Sequence, residues 1–406
     1  MNPKEKRQAR YKLAILTSHP IQYYAPLYKK LASHPRIDLM AYYCSDHGVT
    51  VKLDPGFGIP FKWDTPLLEG YPYKFLRNIS PRPGVTTFWG LINPGIIKEI
   101  FKGDYDGIVV QGYMLATNWI AYLAAWVMGT PVLFRGETEG FLPRPWWLRM
   151  IKWPILKILF AGTRAFLTIG SASASLYSDY GVPKERLFLT PYSIDNDYFM
   201  EKRECHQPKK DSIKEELGIF REKVVILFSG KLIERKRPLD LLKAFEKVEE
   251  REKAALIFIG DGEQNSMLGD YCRERNIEDV YFLGFKNQSE LGRLYAVADL
   301  LVLPSIFETW GLVINELMCY GVAIVATNMV GSSFDIVSHG GNGFIYPAGD
   351  VTALTEILSK LISNERLRTM MGKKSLEIIS MWNYDACVEG ILNALVYITR
   401  KQKTKR

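Results

Sequence analysis

A chain of 406 residues with 47% hydrophobic and 24% charged residues is long enough for two domains with separate cores, and its composition excludes a disordered or fibrous protein. The net charge of +8 would suit a nucleic-acid partner, but it sits at the ends: Lys4, Lys6, Arg7, Arg10 and Lys12 against Glu5, and Arg400, Lys401, Lys403, Lys405 and Arg406. Taking those nine net charges from +8 leaves a body near −1, without the basic face that nucleic acid requires. Such tails are either solvated ends or a means of attraction to an anionic membrane, at about 1 kcal/mol per basic residue near the lipid. Five scattered cysteines without CxxC spacing argue against a disulfide framework or zinc site and suit a reducing cytoplasm. No apolar run before Tyr11 resembles a signal peptide, and the long apolar stretches are broken at Gly129, Lys157 and Arg164. The expectation is a cytoplasmic protein, soluble or peripheral on the inner face of a membrane.

In chain order, Lys12–Thr17 reads as a buried strand ending at Ser18-His19-Pro20, followed by a helix with Pro26 in its first turn. Ile37–Cys44 is the next strand. Residues 45–90, rich in Gly, Pro and aromatics, read as a long functional loop. Helices are then expected at about 94–102, 117–128, 146–160 and 171–180, alternating with strands Gly107–Gln111, Pro131–Phe134, Ala165–Ile169 and Leu187–Thr190. The polar tract Asp195–Ile219 has no strong period and reads as the domain boundary. Strands resume at Val224–Ser229, Ala254–Ile259, Val280–Leu283, Leu300–Leu303, Val322–Ala326 and Gly343–Tyr346, with helices between them and two more at about 365–380 and 385–400. Strand–helix alternation predicts parallel sheets covered on both faces. The expected fold class is α/β, two doubly wound Rossmann-like domains facing a cleft, with ligands beyond the carboxyl ends of the strands. Residues 1–195 would form the first domain, joined by a C-terminal helix at about 385–406, and 196–384 the second.

The most informative stretch runs from Pro304 to Glu316. A buried strand ends at proline, a loop carries Glu308, and an apolar-periodic helix follows Gly311 and carries Glu316. If the whole interval were helical, the carboxylates would be roughly 12 Å apart along the axis, about the span from the sugar of a nucleotide sugar to its ribose. Between them lies a helix start, whose N–H groups and positive dipole end favour an anion. A second strand ends in Ser229-Gly230-Lys231, followed by the basic loop Glu234-Arg235-Lys236-Arg237 and a helix start at Pro238. Taken alone, that loop reads equally as a solvated charge run. Beside Glu308 and Glu316 at one sheet edge, Lys231 and Lys236 suit a diphosphate. Gly260-Asp261-Gly262 and Gly331-Ser332-Ser333 are turns compatible with a close ligand or with plain packing.

These strings, with Phe282-Leu283-Gly284 and Gly341-Asn342-Gly343-Phe344, resemble over residues 223–350 the donor domain of a GT-B glycosyltransferase of family 4, a retaining family. The resemblance implies a nucleoside diphosphate sugar as donor, a saccharide or lipid-linked saccharide as acceptor, a place in surface-polysaccharide synthesis, and no metal or other cofactor. Lys231, where the family usually has arginine, and Lys236 would bind the diphosphate and stabilise its departure. Glu308 would hold the donor sugar's hydroxyls and Glu316 the ribose. Gly230, Gly260, Trp310, Gly311, Leu312 and Val313 would line the donor, the backbone amides near 310–313 meeting the phosphates.

The N-terminal half departs further from the family. Ser18-His19-Pro20-Ile21-Gln22-Tyr23 stands in place of a glycine-rich turn, and Arg135-Gly136-Glu137 follows Phe134 where many members carry histidine. Arg135 or Glu137 would reach the donor sugar or the acceptor. His19, Gln22 and Tyr23 are candidates for the acceptor side, although a capping or packing role suits His19 equally. Asp195-Asn196-Asp197 matches an Asp-x-Asp metal motif but lies at a boundary instead of a strand end. The tract Arg144-Pro145-Trp146-Trp147-Leu148-Arg149-Met150-Ile151-Lys152-Trp153-Pro154 reads either as core packing or as an interfacial patch on anionic lipid. The alternatives to a transferase are a non-catalytic nucleotide-sugar-binding scaffold or another GT-B enzyme, such as a nucleotide-sugar epimerase or a phosphorylase; no pyridoxal lysine site supports the last.

Overall fold

The computed structural model describes residues 10–53, 60–137 and 146–403. Most of the N-terminal basic tail, the last three residues of the C-terminal one, the Gly- and Pro-containing stretch 54–58, and Arg144 and Pro145 lie outside the described residues. The chain divides into two compact units, one built from residues up to 52, 61–191 and 384 onward, the other from 192–383 with 53–60.

In the first unit a sheet of seven parallel strands has the order β5-β2-β1-β6-β7-β8-β9 among the described residues. These are β1 (Tyr11–Thr17), β2 (Ile37–Tyr43), β5 (Tyr73–Phe75), β6 (Gly107–Gln111), β7 (Val132–Arg135), β8 (Ala165–Thr168) and β9 (Leu187–Leu189). The short strands β3 (Lys52–Leu53) and β4 (Pro60–Phe61) pair only with each other. Leu13, Ala14, Ile15 and Leu16 are all buried, as a central strand covered on both faces requires. β5 emerges from the tract that read as loop. Its three residues are exposed, and three are too few to show a period; the strand exists because its backbone pairs with Ala41–Tyr43 at the sheet edge. The C-terminal helix Tyr384–Lys403 belongs to this unit, with Tyr384 donating to the Tyr23 carbonyl at 2.7 Å and Cys387 Sγ to that of Pro191 at 2.9 Å.

The second unit carries β10 (Val224–Ser229), β11 (Ala254–Ile259), β12 (Val280–Phe282), β13 (Leu300–Leu303), β14 (Ala323–Thr327) and β15 (Gly343–Tyr346). They form a parallel sheet in the order β12-β11-β10-β13-β14-β15. Its core joins β10, β11 and β13 to the apolar faces of helices Pro238–Lys247 and Val351–Ile362, through Leu241, Phe245, Leu354 and Leu358. The latter helix was not distinguished in the sequence.

The tract 195–219, which shows no strong period in the sequence, is largely helical and begins just after the division between the units at 191/192. Asn196–His206 and Lys210–Glu216 are helices, the first started by Asp195, whose carboxylate accepts from the Tyr198 N–H at 3.1 Å. Few of their residues are buried, among them Phe199 and Ile213, so the apolar stripe is too thin to show as a period.

Both sheets follow one rule. The chain builds outward from β1 through β2 to β5, then returns to lay β6 beside β1; likewise it builds from β10 to β12 and returns to lay β13 beside β10. Each return opens a crevice at the carboxyl ends of the two neighbouring strands, where ligands of doubly wound sheets bind.

Candidate functional site

In the second unit the switch lies between β10 and β13. Beyond β10 the backbone continues its ladder: the Gly230 N–H donates to the Ile259 carbonyl and the Gly260 N–H to that of Gly284, both at 2.9 Å. The loops after β10 and β11 touch backbone to backbone. At Gly260, with φ +129°, a Cβ would lie 2.0 Å from the Gly230 carbonyl oxygen. Gly260→Ala should therefore destabilise the unit by about 2–3 kcal/mol; an unchanged melting temperature would contradict this packing.

The next segment brings the basic loop to the carboxylate. The Ile306 N–H donates to the Arg235 carbonyl at 3.0 Å, and Arg235 Nη1 to the Phe307 carbonyl at 2.6 Å. Lys236 Nζ is ion-paired with Glu308 Oε2, and Arg235 Nη1 lies 3.5 Å from the same oxygen. Lys231 is half-buried at the start of this loop. The Glu308–Trp310 segment is fixed from the other side by the loop after β14: the Glu308 N–H donates to Met329, Gly331 to Glu308 and Ser332 to Trp310 at 3.0–3.1 Å.

Trp310 is buried, its ring 5.3 Å from that of Trp382 and 6.1 Å from that of Tyr192. Its Nε1 donates to Asn315 Oδ1 at 2.9 Å, and Asn315 in turn donates to the Tyr192 carbonyl at 3.0 Å. The indole therefore braces the loop, and only its backbone remains available to a ligand. Gly311, at φ +89°, precedes the helix Leu312–Cys319 and offers no capping side chain to its first-turn N–H groups. Because the helix begins at Leu312, helical rise separates only Leu312 from Glu316, about 6 Å. Glu308 belongs to the loop, and the 12 Å reckoned from a continuous helix does not apply.

Glu316 is buried and accepts a 2.8 Å hydrogen bond from the Tyr295 hydroxyl, which also lies 3.1 Å from Ser229 Oγ. Glu316 is thus tied to the end of β10 from beneath. Two contributors escaped the sequence reading. Arg235 was one of several cations in a run, and Tyr295 ends helix Gln288–Tyr295 with no motif around it.

In the first unit the switch lies between β1 and β6, with β7 next. After β1, Ser18 Oγ lies 2.9 Å from His19 Nδ1, and the His19 ring meets that of His47 edge-on at 5.1 Å. Burial, then the proximity of His47, pushes the His19 pKa down to about 4, so it is neutral near pH 7. Gln22 is buried, and its Oε1 has no partner among the described residues. The Tyr23 carbonyl is taken up by Tyr384. Arg135 is the last residue of β7 and is buried, its guanidinium 5.5 Å over the Tyr24 ring; Glu137 is exposed two residues on. Gln111, which the sequence did not single out, closes β6 by donating to Tyr28 at 2.9 Å and accepting from Thr17 at 3.1 Å.

The depressed His19 pKa has a stability consequence. Between pH 6.5 and about 4 the unfolded chain binds a proton there that the folded chain does not, so stability falls as pH drops through that window. His19→Gln should lose less melting temperature between pH 7 and 5 than the parent; equal losses would show that His19 is not the group responsible.

Asp195, first of the Asp-x-Asp residues, is occupied as a helix cap, and Asn196 donates to the Ile379 and Trp382 carbonyls at 2.9 and 3.2 Å. Among the described residues no group of three or more His, Cys, Asp or Glu side chains is placed to hold a metal ion.

Residues 209–377 match the family model of glycosyl transferases group 1. Over 182 residues the chain is 30% identical to N-acetyl-alpha-D-glucosaminyl L-malate synthase of Bacillus anthracis, covering 45% of this chain and 47% of that protein. Over 329 residues it is 26% identical to the sulfoquinovosyl transferase SQD2 of Arabidopsis thaliana, covering 77% of this chain and 61% of that one. The matches thus span about half of the length of the first of these curated relatives and about three fifths of the second. Among solved structures, Anabaena Alr3699/HepE in complex with UDP superposes with a TM-score of 0.72 at 18% identity, covering 95% of this chain and 99% of that one. The fold is that of the GT-B glycosyltransferases, with two Rossmann-like units in one chain.

Proposed function

We propose that the protein is a retaining glycosyltransferase of family 4 that moves a sugar from a nucleoside diphosphate to a saccharide or lipid-linked saccharide acceptor. Its place would be surface-polysaccharide assembly on the inner face of a membrane. The observation that carries this reading is Glu308 held by Lys236 and Arg235 at the crevice between β10 and β13, next to the uncapped helix that carries Glu316.

Lys231 and Lys236 bind the diphosphate, with the first-turn amides of helix Leu312–Cys319 on its remaining oxygens. Glu316 takes the ribose hydroxyls and Glu308 those of the sugar. The bond from the anomeric carbon to the phosphate oxygen breaks with its electron pair going to the phosphate, whose charge the lysines offset. The acceptor hydroxyl attacks from the same face, and its proton passes to the departing phosphate. Arg135 and Glu137 serve the sugar or acceptor, and His19, Gln22 and Tyr23 the acceptor side. With lysines meeting the diphosphate, the reaction needs no divalent cation. UDP sugars are the first donors to try, because Alr3699/HepE was solved with UDP-glucose.

The test is donor turnover followed by NMR, with and without EDTA. The first sugar product should keep the donor's anomeric configuration and appear at the same rate in EDTA. An inverted first product would overturn the retaining assignment, and a loss beyond about tenfold in EDTA would overturn metal independence.

A further inference from the structure

Helix Trp146–Gly162 of the first unit turns Leu156, Leu159 and Phe160 into the core, as a surface helix must. Its outer side departs from the usual polar face. Trp146, Trp147, Met150, Ile151, Trp153 and Ile158 are between 46% and 71% exposed. Spaced at 100° per residue, they cover about half the helix circumference. The apolar surface continues onto helix Ala116–Met128, whose Leu123 and Val127 are exposed. That helix meets the first so closely at Trp126 that a Cβ on Gly162 would lie 2.6 Å from its indole.

Charge along this part of the chain has one sign. From Gly140 to Ser178 the sequence contains Arg144, Arg149, Lys152, Lys157 and Arg164 and no acidic residue, although the chain as a whole has 44. Two of the lysines lie against aromatic rings: Lys157 Nζ is 4.3 Å from the Trp153 ring centroid and Lys152 Nζ 4.7 Å from that of Tyr113. Tryptophans and long aliphatic side chains flanked by lysines match the boundary between headgroups and acyl chains of an anionic bilayer. The helix is not long and apolar enough to cross a membrane, so it would lie in the plane of the surface.

We propose that the outer face of helix Trp146–Gly162 docks the first unit onto anionic lipid, with Trp147, Met150, Ile151 and Ile158 inserted among the acyl chains and Lys157 at the phosphates. The face gives the inner-face location proposed above a specific surface. Vesicle binding needs no nucleotide, so its failure would leave the donor reading intact, and failure of nucleotide binding would leave this one intact.

The test is co-sedimentation of the full chain with phosphatidylcholine vesicles with and without phosphatidylglycerol. Brominated acyl chains would report insertion by quenching tryptophan fluorescence. The expected result is binding that requires the anionic lipid, with quenching. Ile151→Ser combined with Ile158→Ser should lower the partition coefficient at least about tenfold, with an unchanged melting temperature because both side chains point away from the core. Phe220→Ser, equally exposed on the second unit, should change nothing. Absence of binding to anionic vesicles, or binding that the double variant retains and deletion of the basic tails abolishes, would overturn the proposal. So would a stable dimer that the double variant dissociates without any vesicle binding, since the face would then join two copies of the chain.

Discussion

Lys236→Ala is expected to slow sugar transfer roughly a hundred- to a thousandfold, the usual effect of removing one preorganised group that stabilises developing charge. Lys236 is anchored at the end of the loop after β10 and aimed at Glu308, where the transferred sugar and its phosphate would meet. Without it the departing diphosphate keeps less of its charge offset, and the cost falls on kcat more than on donor affinity. The fold should survive, because Arg235 still lies 3.5 Å from the Glu308 carboxylate. Lys236→Arg should recover part of the rate, since it restores the charge with a different shape. A rate within threefold of the parent in Lys236→Ala, about 0.7 kcal/mol in the barrier, would remove Lys236 from the chemistry.

Glu316→Ala is expected to weaken nucleotide binding by roughly ten- to a hundredfold, the loss of about 1.5–3 kcal/mol of hydrogen bonding to a charged group. Glu308→Ala should behave differently. Glu308 is ion-paired with Lys236, so its removal would free a cation for the diphosphate while leaving the sugar unheld. Nucleotide affinity should stay level or rise slightly while transfer slows. Equal losses of nucleotide affinity in the two variants would refute this division of labour.

The strands were legible because buried parallel strands are short continuous apolar runs, such as Val225–Phe228 and Leu300–Leu303. β5 and the charged helices after Asp195 were not legible, since each is held by backbone pairing or by a few buried residues instead of a periodic face. At the candidate site, Glu308, Glu316 and Lys236 stood out as ionisable groups beside predicted strand ends. Arg235 and Tyr295 did not, because their importance lies in contacts with residues 72 to 73 and 21 positions away. The place of the Trp310 ring was not legible either: it is buried against Trp382 and Tyr192, which leaves the backbone of this stretch, expected from the sequence to meet the phosphates, as the part a ligand can reach.

Nucleotide binding at the crevice between β10 and β13 is tested most directly by titration of UDP, GDP and ADP into the parent protein and Glu316→Ala. One nucleoside diphosphate should bind the parent, raising its stability by about 2.7 kcal/mol at a hundredfold excess over Kd, and should bind Glu316→Ala at least about tenfold more weakly. Binding of none of the three, or equal affinity in the variant, would contradict the account.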